Sequence, residues 1–279
     1  MNRILFAGGG TAGHIEPAWA VSQVWHQRHP GDEIAFLGTR NGLEVTLIPE
    51  RDGVLYLIPK VVAPRKLNLA ALLFPFRIIN SIIKTSAIVK RFDVVVGFGG
   101  YVAGSAYIAA AILRKPIVVH DQNAKVGLAN KFGAIFTKEI ATAYPNSGLA
   151  GAKVVGNPLK AAIVDAAKQS DWKSARAKAK SELGVVGDLI LILGGSTGSR
   201  AINEVISNSN FGDCTVIHSL GKDNQIPPAT DKYRPVSYIE DMATALIAAD
   251  LVISRSGAIA CTEFAALGKY ALFIPLPIG

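Results

Sequence analysis

The sequence predicts an α/β chain of doubly wound, parallel-sheet type, divided into two nucleotide-type domains. Three observations predict it. Short Val/Ile/Leu runs without polar alternation recur between helical patterns, as parallel strands buried on both faces do. Two strand–glycine–helix entries, Ile4 to Val21 and Leu189 to Ile206, lie about a domain's length apart. A looser internal echo relates two later stretches. Asp93-Val-Val-Val, a glycine turn, an Ala-rich helix and Lys115-Pro-Ile-Val-Val-His form one unit. Asp250-Leu-Val-Ile, Ser-Arg-Ser-Gly, an Ala-rich helix and Lys269-Tyr-Ala-Leu-Phe-Ile-Pro form its counterpart.

Taken in order, the expected strands of the first half are Ile4–Ala7, Glu33–Leu37, Val54–Ile58, Val94–Val96, Ile117–His120 and Lys153–Val155. Those of the second are Leu189–Leu193, Thr215–His218, Val236–Tyr238, Leu251–Ile253 and Ala271–Ile274. Helices fill the intervals, which gives the doubly wound arrangement. The boundary falls near Asn157-Pro158, before the polar helical stretch Ala161–Leu183, so the domains read as 1–158 and 159–279. The first unit of the echo continues into another turn and helix, whereas the second stops at Gly279. The second domain is therefore expected to lack its closing elements.

The chain has 279 residues, half of them hydrophobic and 18% charged, enough for two cores. Cys214 and Cys261 are the only cysteines, so neither a disulfide framework nor a zinc spacing is available. Residues 1–7 read as a first strand rather than a secretion signal. The net charge of +8 is unevenly placed. Between Lys60 and Arg91 lie Lys60, Arg65, Lys66, Arg77, Lys84, Lys90 and Arg91, and no Asp or Glu. The same stretch is rich in Leu, Ile and Phe. Cations set among aliphatics suit an anionic membrane surface. Asn68, Pro75, Arg77, Asn80 and Ser81 interrupt the run, so it does not read as a spanning helix. The bland alternative is a helix that buries its apolar side and solvates its lysines. Nucleic acid is disfavoured, because stacking aromatics are not interleaved with the basic residues.

Gly8, Gly10 and Gly13 form a G-x-G-x-x-G entry, and Gly194, Gly195 and Gly198 cluster at the second one. Glycines at a strand-to-helix turn leave N–H groups at a helix N-terminus, where an anion is favoured. A dinucleotide reading wants an acid at the end of the second strand. That strand ends in Leu37-Gly38-Thr39-Arg40 instead, which leaves only an NADP-dependent oxidoreductase as that alternative, with Arg40 on the 2′-phosphate.

Seven motifs then occur in order: AGGGTAGHIEPA, GFGGYVAG, HDQNAKVGLANK, VVGNPLK, GGSTGSRAIN, YIEDM and RSGAIACTEFAALG. Together they resemble the MurG family of bacterial N-acetylglucosaminyltransferases, and the resemblance runs along the whole chain. It implies a GT-B fold of two Rossmann-like domains facing a cleft, the N-terminal one for the acceptor and the C-terminal one for the UDP-sugar. It implies inverting transfer of GlcNAc from UDP-GlcNAc to the MurNAc 4-hydroxyl of lipid I, giving lipid II in peptidoglycan synthesis. It also implies a peripheral place on the cytoplasmic face of the cell membrane, with cell-wall synthesis proteins as candidate partners. In the family, PLPIG is followed by a segment with Asn and Gln that holds the donor sugar, and by further helices. A non-catalytic UDP-sugar-binding module is accordingly the alternative.

By the same resemblance Thr11, Ala12 and Gly13 touch the donor, Ala12 standing where the family usually has Gly. His14 is the candidate base, or else a diphosphate donor. A neutral imidazole has a suitable pKa for taking the acceptor hydroxyl's proton. Asn123 is placed for the donor sugar, with an Asx turn as its bland role; Asn130 is a lesser acceptor-side contact, and His120 and Asp121 are scaffolding. Lys160 stands where Arg is common and lacks the bidentate fork. Ser196 is placed for diphosphate ahead of Thr197, an N-cap being the bland role of both. Ile239 reads the uracil edge through its backbone, with Tyr238 packing on the base. Ser256, Gly257 and Ala258 open a helix toward phosphate, and Glu263 accepts from both ribose hydroxyls. No Asp-x-Asp motif occurs. The expected chemistry uses helix N-termini rather than a metal, and no cofactor.

Overall fold

The computed structural model of the chain describes residues 1–61, 72, 74–195, 197–222 and 224–275. They separate into two compact units, Met1–Pro158 and Leu159–Gly279.

In the first unit the elements run β1 (Arg3–Gly8), α1 (Ala12–Arg28), β2 (Glu33–Thr39), α2 (Glu44–Leu47), β3 (Leu55–Ile58), α3 (Phe74–Val89) and β4 (Val94–Gly99). They continue with α4 (Gly100–Ile112), β5 (Ile117–Asp121), α5 (Leu128–Gly133), β6 (Ile140–Thr142) and β7 (Lys153–Val154). The sheet order is β3-β2-β1-β4-β5-β6-β7, and every pairing is parallel. Alternate residues of one strand feed opposite faces. Leu5 and Ala7 join Ala35, Leu37 and Val95 under the Ala-rich helix α4. Ile4 and Phe6 join Phe36, Phe98 and Ile15 of α1 on the other side. Both faces are covered, so the strands show no polar alternation.

Helix α3 divides its apolar side chains, with Val89 fully buried and Ile88 packed against the core while others face outward. Ser81 and Thr85 are fully buried, while Phe76, Ile79 and Ile83, spaced three and four apart, are 68%, 54% and 63% exposed. Ser81 Oγ donates to Pro59 O at 3.2 Å, and Thr85 Oγ1 donates to Ser81 O at 2.7 Å. These bonds satisfy the inward hydroxyls. The bland expectation of a helix with its apolar side inward holds at Ile88 and Val89 and fails at Phe76, Ile79 and Ile83, which face outward. Arg65, Lys66 and the aliphatics of 62–71 lie outside the described residues.

The second unit runs α6 (Ala161–Ala167), α7 (Trp172–Glu182), β8 (Leu189–Leu193), α8 (Arg200–Ile206), β9 (Thr215–Ser219) and β10 (Tyr233–Val236). Then come α9 (Met242–Ala248), β11 (Leu251–Ser254), α10 (Ala258–Ala266) and β12 (Ala271–Phe273). The order β10-β9-β8-β11-β12 is again wholly parallel. Leu189, Leu191 and Leu193 pack with Ile163, Ala245, Leu246 and Phe264 on one face. Ile192, Val216 and Ile253 meet Ile202 and Ile206 of α8 on the other. Among the described residues no helix is long and apolar enough to cross a membrane.

Two strands depart from the sequence reading. The strand expected at Val236–Tyr238 lies at Tyr233–Val236 and includes Pro235. Pro235 is tolerated because β10 is an edge strand. Val216 and Leu220 donate to the carbonyls of Lys232 and Val236, so the even-numbered residues face β9 and Pro235 faces outward. Ile140–Thr142 adds a strand that its short, half-polar Ile-Ala-Thr run does not announce.

Candidate functional site

In the first unit the residues selected from the sequence follow the C-terminal ends of β1 and β5, where open α/β sheets bind ligands. The first glycine turn closes on Thr11, the N-cap of α1, and Ala12 and Gly13 form that helix's first turn. N–H groups of a first helical turn have no intrahelical partner, and they stand where the dipole is positive. Thr11 Oγ1 lies 2.9 Å from His14 Nδ1. The imidazole sits beside the backbone of Gly99 and Gly100, where an added Cβ would come within 3.2 Å and 3.6 Å of the ring. Burial pushes the His14 pKa down, opposed by the carboxylates of Asp121 and Glu44. Burial therefore favours the neutral imidazole.

The β5–α5 turn is organised by Asp121, only 1% exposed. Its Oδ1 accepts from the Asn123 backbone N–H at 2.8 Å and from Asn123 Nδ2 at 3.3 Å. Its Oδ2 accepts from Gly127 N at 3.0 Å and Asn130 Nδ2 at 2.9 Å. Asp121, not Asn123, therefore closes the Asx turn, and Asn123 stays partly exposed. Asn130 is 1% exposed, and its amide is used internally: Tyr107 donates to its Oδ1 at 2.7 Å, and its Nδ2 also donates to His120 O. The expected acceptor-side contact at Asn130 is corrected, because its side chain is committed to the scaffold. His120 Nε2 donates to Gly156 O at 3.1 Å and belongs to the same scaffold.

In the second unit the glycine turn after β8 leads to α8, which is capped by Ser199, whose Oγ accepts from Ile202 N. The N-cap reading of Thr197 is therefore corrected. Ser196 lies outside the described residues, and Thr197 is exposed. Gly198 is required at its position, since a Cβ there would lie 1.8 Å from Leu220 O. After β11, Gly257 caps α10 with extended backbone and no side-chain bond. Ser256 and Gly257 are exposed, Ala258 begins the helix, and Glu263 lies partly buried within it. Arg255 Nη1 donates to Ile274 O at 3.2 Å and Pro275 O at 2.9 Å, anchoring the segment beyond β12. Ile239 is partly buried against the core below. Tyr238 carries the Lys222 ammonium 5.2 Å above its ring. Lys160 is the N-cap residue of α6, with its backbone outside the helical region.

Four residues of the first unit stand around the first glycine turn without being read there from the sequence. Glu44 is 1% exposed beside the first glycine turn, and its Oε2 accepts from Gly10 N at 2.9 Å. Thr39 donates to the same carboxylate, and Tyr101 stacks its phenol beside Gly10. Lys60 lies 5.1 Å over the Tyr101 ring. For Tyr101 the signal is the GFGGYVAG motif, whereas Gly38 and Gly42, both just before Glu44, point to it only once the fold is known. The carboxylate at Gly10 also means that one N–H of the first turn is committed internally. The anion capacity there rests on α1's first turn.

Comparison with known proteins bears on both units. Residues 4–142 match the glycosyltransferase family 28 N-terminal domain, and residues 189–279 match the glycosyltransferase family 28 C-terminal domain. The chain is 44% identical over 286 residues to a Corynebacterium diphtheriae protein named UDP-N-acetylglucosamine–N-acetylmuramyl-(pentapeptide) pyrophosphoryl-undecaprenol N-acetylglucosamine transferase. That match covers 99% of this chain and 77% of the relative. A Streptomyces coelicolor protein of the same name is 40% identical, covering 99% and 78%. The crystal structure of Acinetobacter baumannii MurG superposes with a TM-score of 0.71 at 31% identity, over 100% of this chain and 80% of that one.

Proposed function

We infer the activity from membership: the chain belongs to glycosyltransferase family 28 and, within it, to the UDP-N-acetylglucosamine–N-acetylmuramyl-(pentapeptide) pyrophosphoryl-undecaprenol N-acetylglucosamine transferases. It transfers GlcNAc from UDP-GlcNAc to the MurNAc unit of lipid I in peptidoglycan synthesis. What carries the reading is that the likeness extends through both units with the glycine turns and α10 in place.

The residues take roles that their geometry supports. The bond between Thr11 and His14 has two possible directions, and the useful one has Nδ1–H donating to Thr11 Oγ1. The Nε2 lone pair then accepts the proton of the attacking 4-hydroxyl. Burial favours that neutral state. Ala12 and Gly13 offer N–H groups to the donor's diphosphate and sugar, and Asn123 offers its amide to the sugar hydroxyls. On the second unit the open N-terminus of α10 at Ser256, Gly257 and Ala258 stabilises the departing UDP, with Ser196 contributing from the other turn. Glu263 accepts from the ribose hydroxyls. Tyr238 and Ile239 hold the uracil, and Lys160 adds a point charge. The outward aliphatics of α3, together with Arg77 and Lys84, seat the first unit on the cytoplasmic face of an anionic membrane. Cell-wall synthesis proteins are the partners expected there.

Initial rates of UDP release with a soluble lipid I analogue test the reading. Glu263→Gln should raise the KM for UDP-GlcNAc about tenfold or more, the worth of a hydrogen bond to a charged group. His14→Ala should lower kcat about 10²–10⁴-fold. Unchanged constants in both variants would remove these assignments, and a wild-type protein that releases no UDP would remove the reading itself.

A further inference from the structure

Three glycines of the first unit leave room for one carboxylate. A Cβ at Gly9, Gly38 or Gly42 would lie 2.8, 2.3 or 2.0 Å from atoms of the Glu44 side chain. Into that cradle Glu44 places both oxygens, and each meets a backbone donor. Oε2 accepts from Gly10 N at 2.9 Å, and Oε1 accepts from Thr39 N at 2.8 Å. Oε1 also accepts from Thr39 Oγ1 at 3.3 Å. The Thr39 hydroxyl in turn lies 3.1 Å from the Tyr101 hydroxyl. Glu44 and Thr39 are 1% and 0% exposed, whereas Tyr101 is only partly buried. The row Glu44, Thr39, Tyr101 therefore runs from the interior to the ligand end of the sheet.

The chemistry of this row has a direction. A carboxylate that already takes two N–H donors acts as an acceptor, so the single Thr39 hydroxyl proton points to Glu44. The Thr39 oxygen then offers only lone pairs to Tyr101. The Tyr101 proton must point inward, and its lone pairs face outward. We propose that Glu44 is a positioning residue that, through Thr39, presents the Tyr101 hydroxyl as a hydrogen-bond acceptor for a hydroxyl or amide N–H of the sugar–peptide acceptor substrate. Phosphate and carboxylate groups, which cannot donate, are not what this hydroxyl selects. The neighbouring Lys60, 5.1 Å over the Tyr101 ring, supplies the charge that such groups would need. The same carboxylate holds the Gly10 amide, so the first turn and the tyrosine are set by one group.

The inference rests on the transferase reading, and the experiment separates the two. Acceptor and donor KM, kcat and Tm are measured for Tyr101→Phe, Thr39→Val, Thr39→Ser, Glu44→Gln and the Thr39→Val/Tyr101→Phe double variant. Tyr101→Phe should raise the acceptor KM about tenfold and leave the UDP-GlcNAc KM unchanged. Thr39→Val, which keeps the shape and loses the relay, should raise it by a similar factor, and the double variant should go no further. Thr39→Ser keeps the hydroxyl and should stay within about twofold of wild type. Glu44→Gln should raise the acceptor KM, because an amide offers a single acceptor oxygen and turns its NH2 donor toward either Gly10 N or Thr39. Independent, multiplying effects of Thr39→Val and Tyr101→Phe overturn the relay, as does a native acceptor KM in Thr39→Val. Equal losses in Thr39→Ser and Thr39→Val assign Thr39 to packing alone and likewise overturn it. A wild-type protein without transfer overturns the transferase reading, and the acceptor assignment with it.

Discussion

His218 is fully buried on β9, and its tautomer can be worked out from its neighbours. Asn203 Nδ2 donates to Leu220 O at 3.1 Å, so Asn203 Oδ1 is left to accept from His218 Nε2–H at 3.1 Å. Nδ1 then accepts from the Tyr233 hydroxyl at 2.9 Å. Both nitrogens are used by the neutral ring, and burial pushes the pKa from the usual 6.5 to about 4. The folded state binds the proton less readily than the unfolded chain. Stability is thus whole above pH 6.5 and falls as the pH drops toward 4, by up to roughly 3 kcal/mol from this group. Urea titrations at pH 7 and pH 4 should show that loss in wild type and a smaller one in His218→Gln; equal losses in both would rule it out. Residue-level sites were legible only in part. His14 and Glu263 stand out because a motif brackets them. Glu44 does not, since its partner Gly10, 34 residues away, comes near only once β1 and β2 pair.

At the scale of elements, α3 shows what periodicity alone misses. The i, i+3, i+7 spacing of Phe76, Ile79 and Ile83 reads equally well as an inward or an outward stripe. Which way it faces is settled by Ser81 and Thr85, whose hydroxyls find Pro59 O and Ser81 O inside. Replacing Phe76 and Ile79 together by Ser should cut sedimentation with phosphatidylglycerol vesicles at least about tenfold, since each side chain gives up roughly 1.5–3 kcal/mol of burial in lipid. The Tm should hardly move, because both residues are exposed in the folded protein. Undiminished vesicle binding would place the contact elsewhere. The strands were more legible than the helices' orientation. Ten of the expected runs overlap β1 to β5, β7 to β9, β11 and β12. The reading slipped at β10 by moving the strand past Pro235, a residue that only an edge position admits.

Over the whole molecule, each unit closes its own sheet with its own pair of cores. Leu191 is fully buried in the second, and Leu191→Ala should cost about 2–5 kcal/mol there. Hydrogen exchange followed by mass spectrometry should find β8, β9 and β11 losing protection while β1, β2 and β4 keep theirs. A matching loss in both sheets would show that the units unfold as one. The doubly wound order was legible because each buried strand carries its apolar run without interruption. Pro235 also limits how the protein can associate. A ring nitrogen on the outward side of β10 gives a foreign strand nothing to clasp at that step, so the second sheet carries a built-in stop against fibre-like growth along that border.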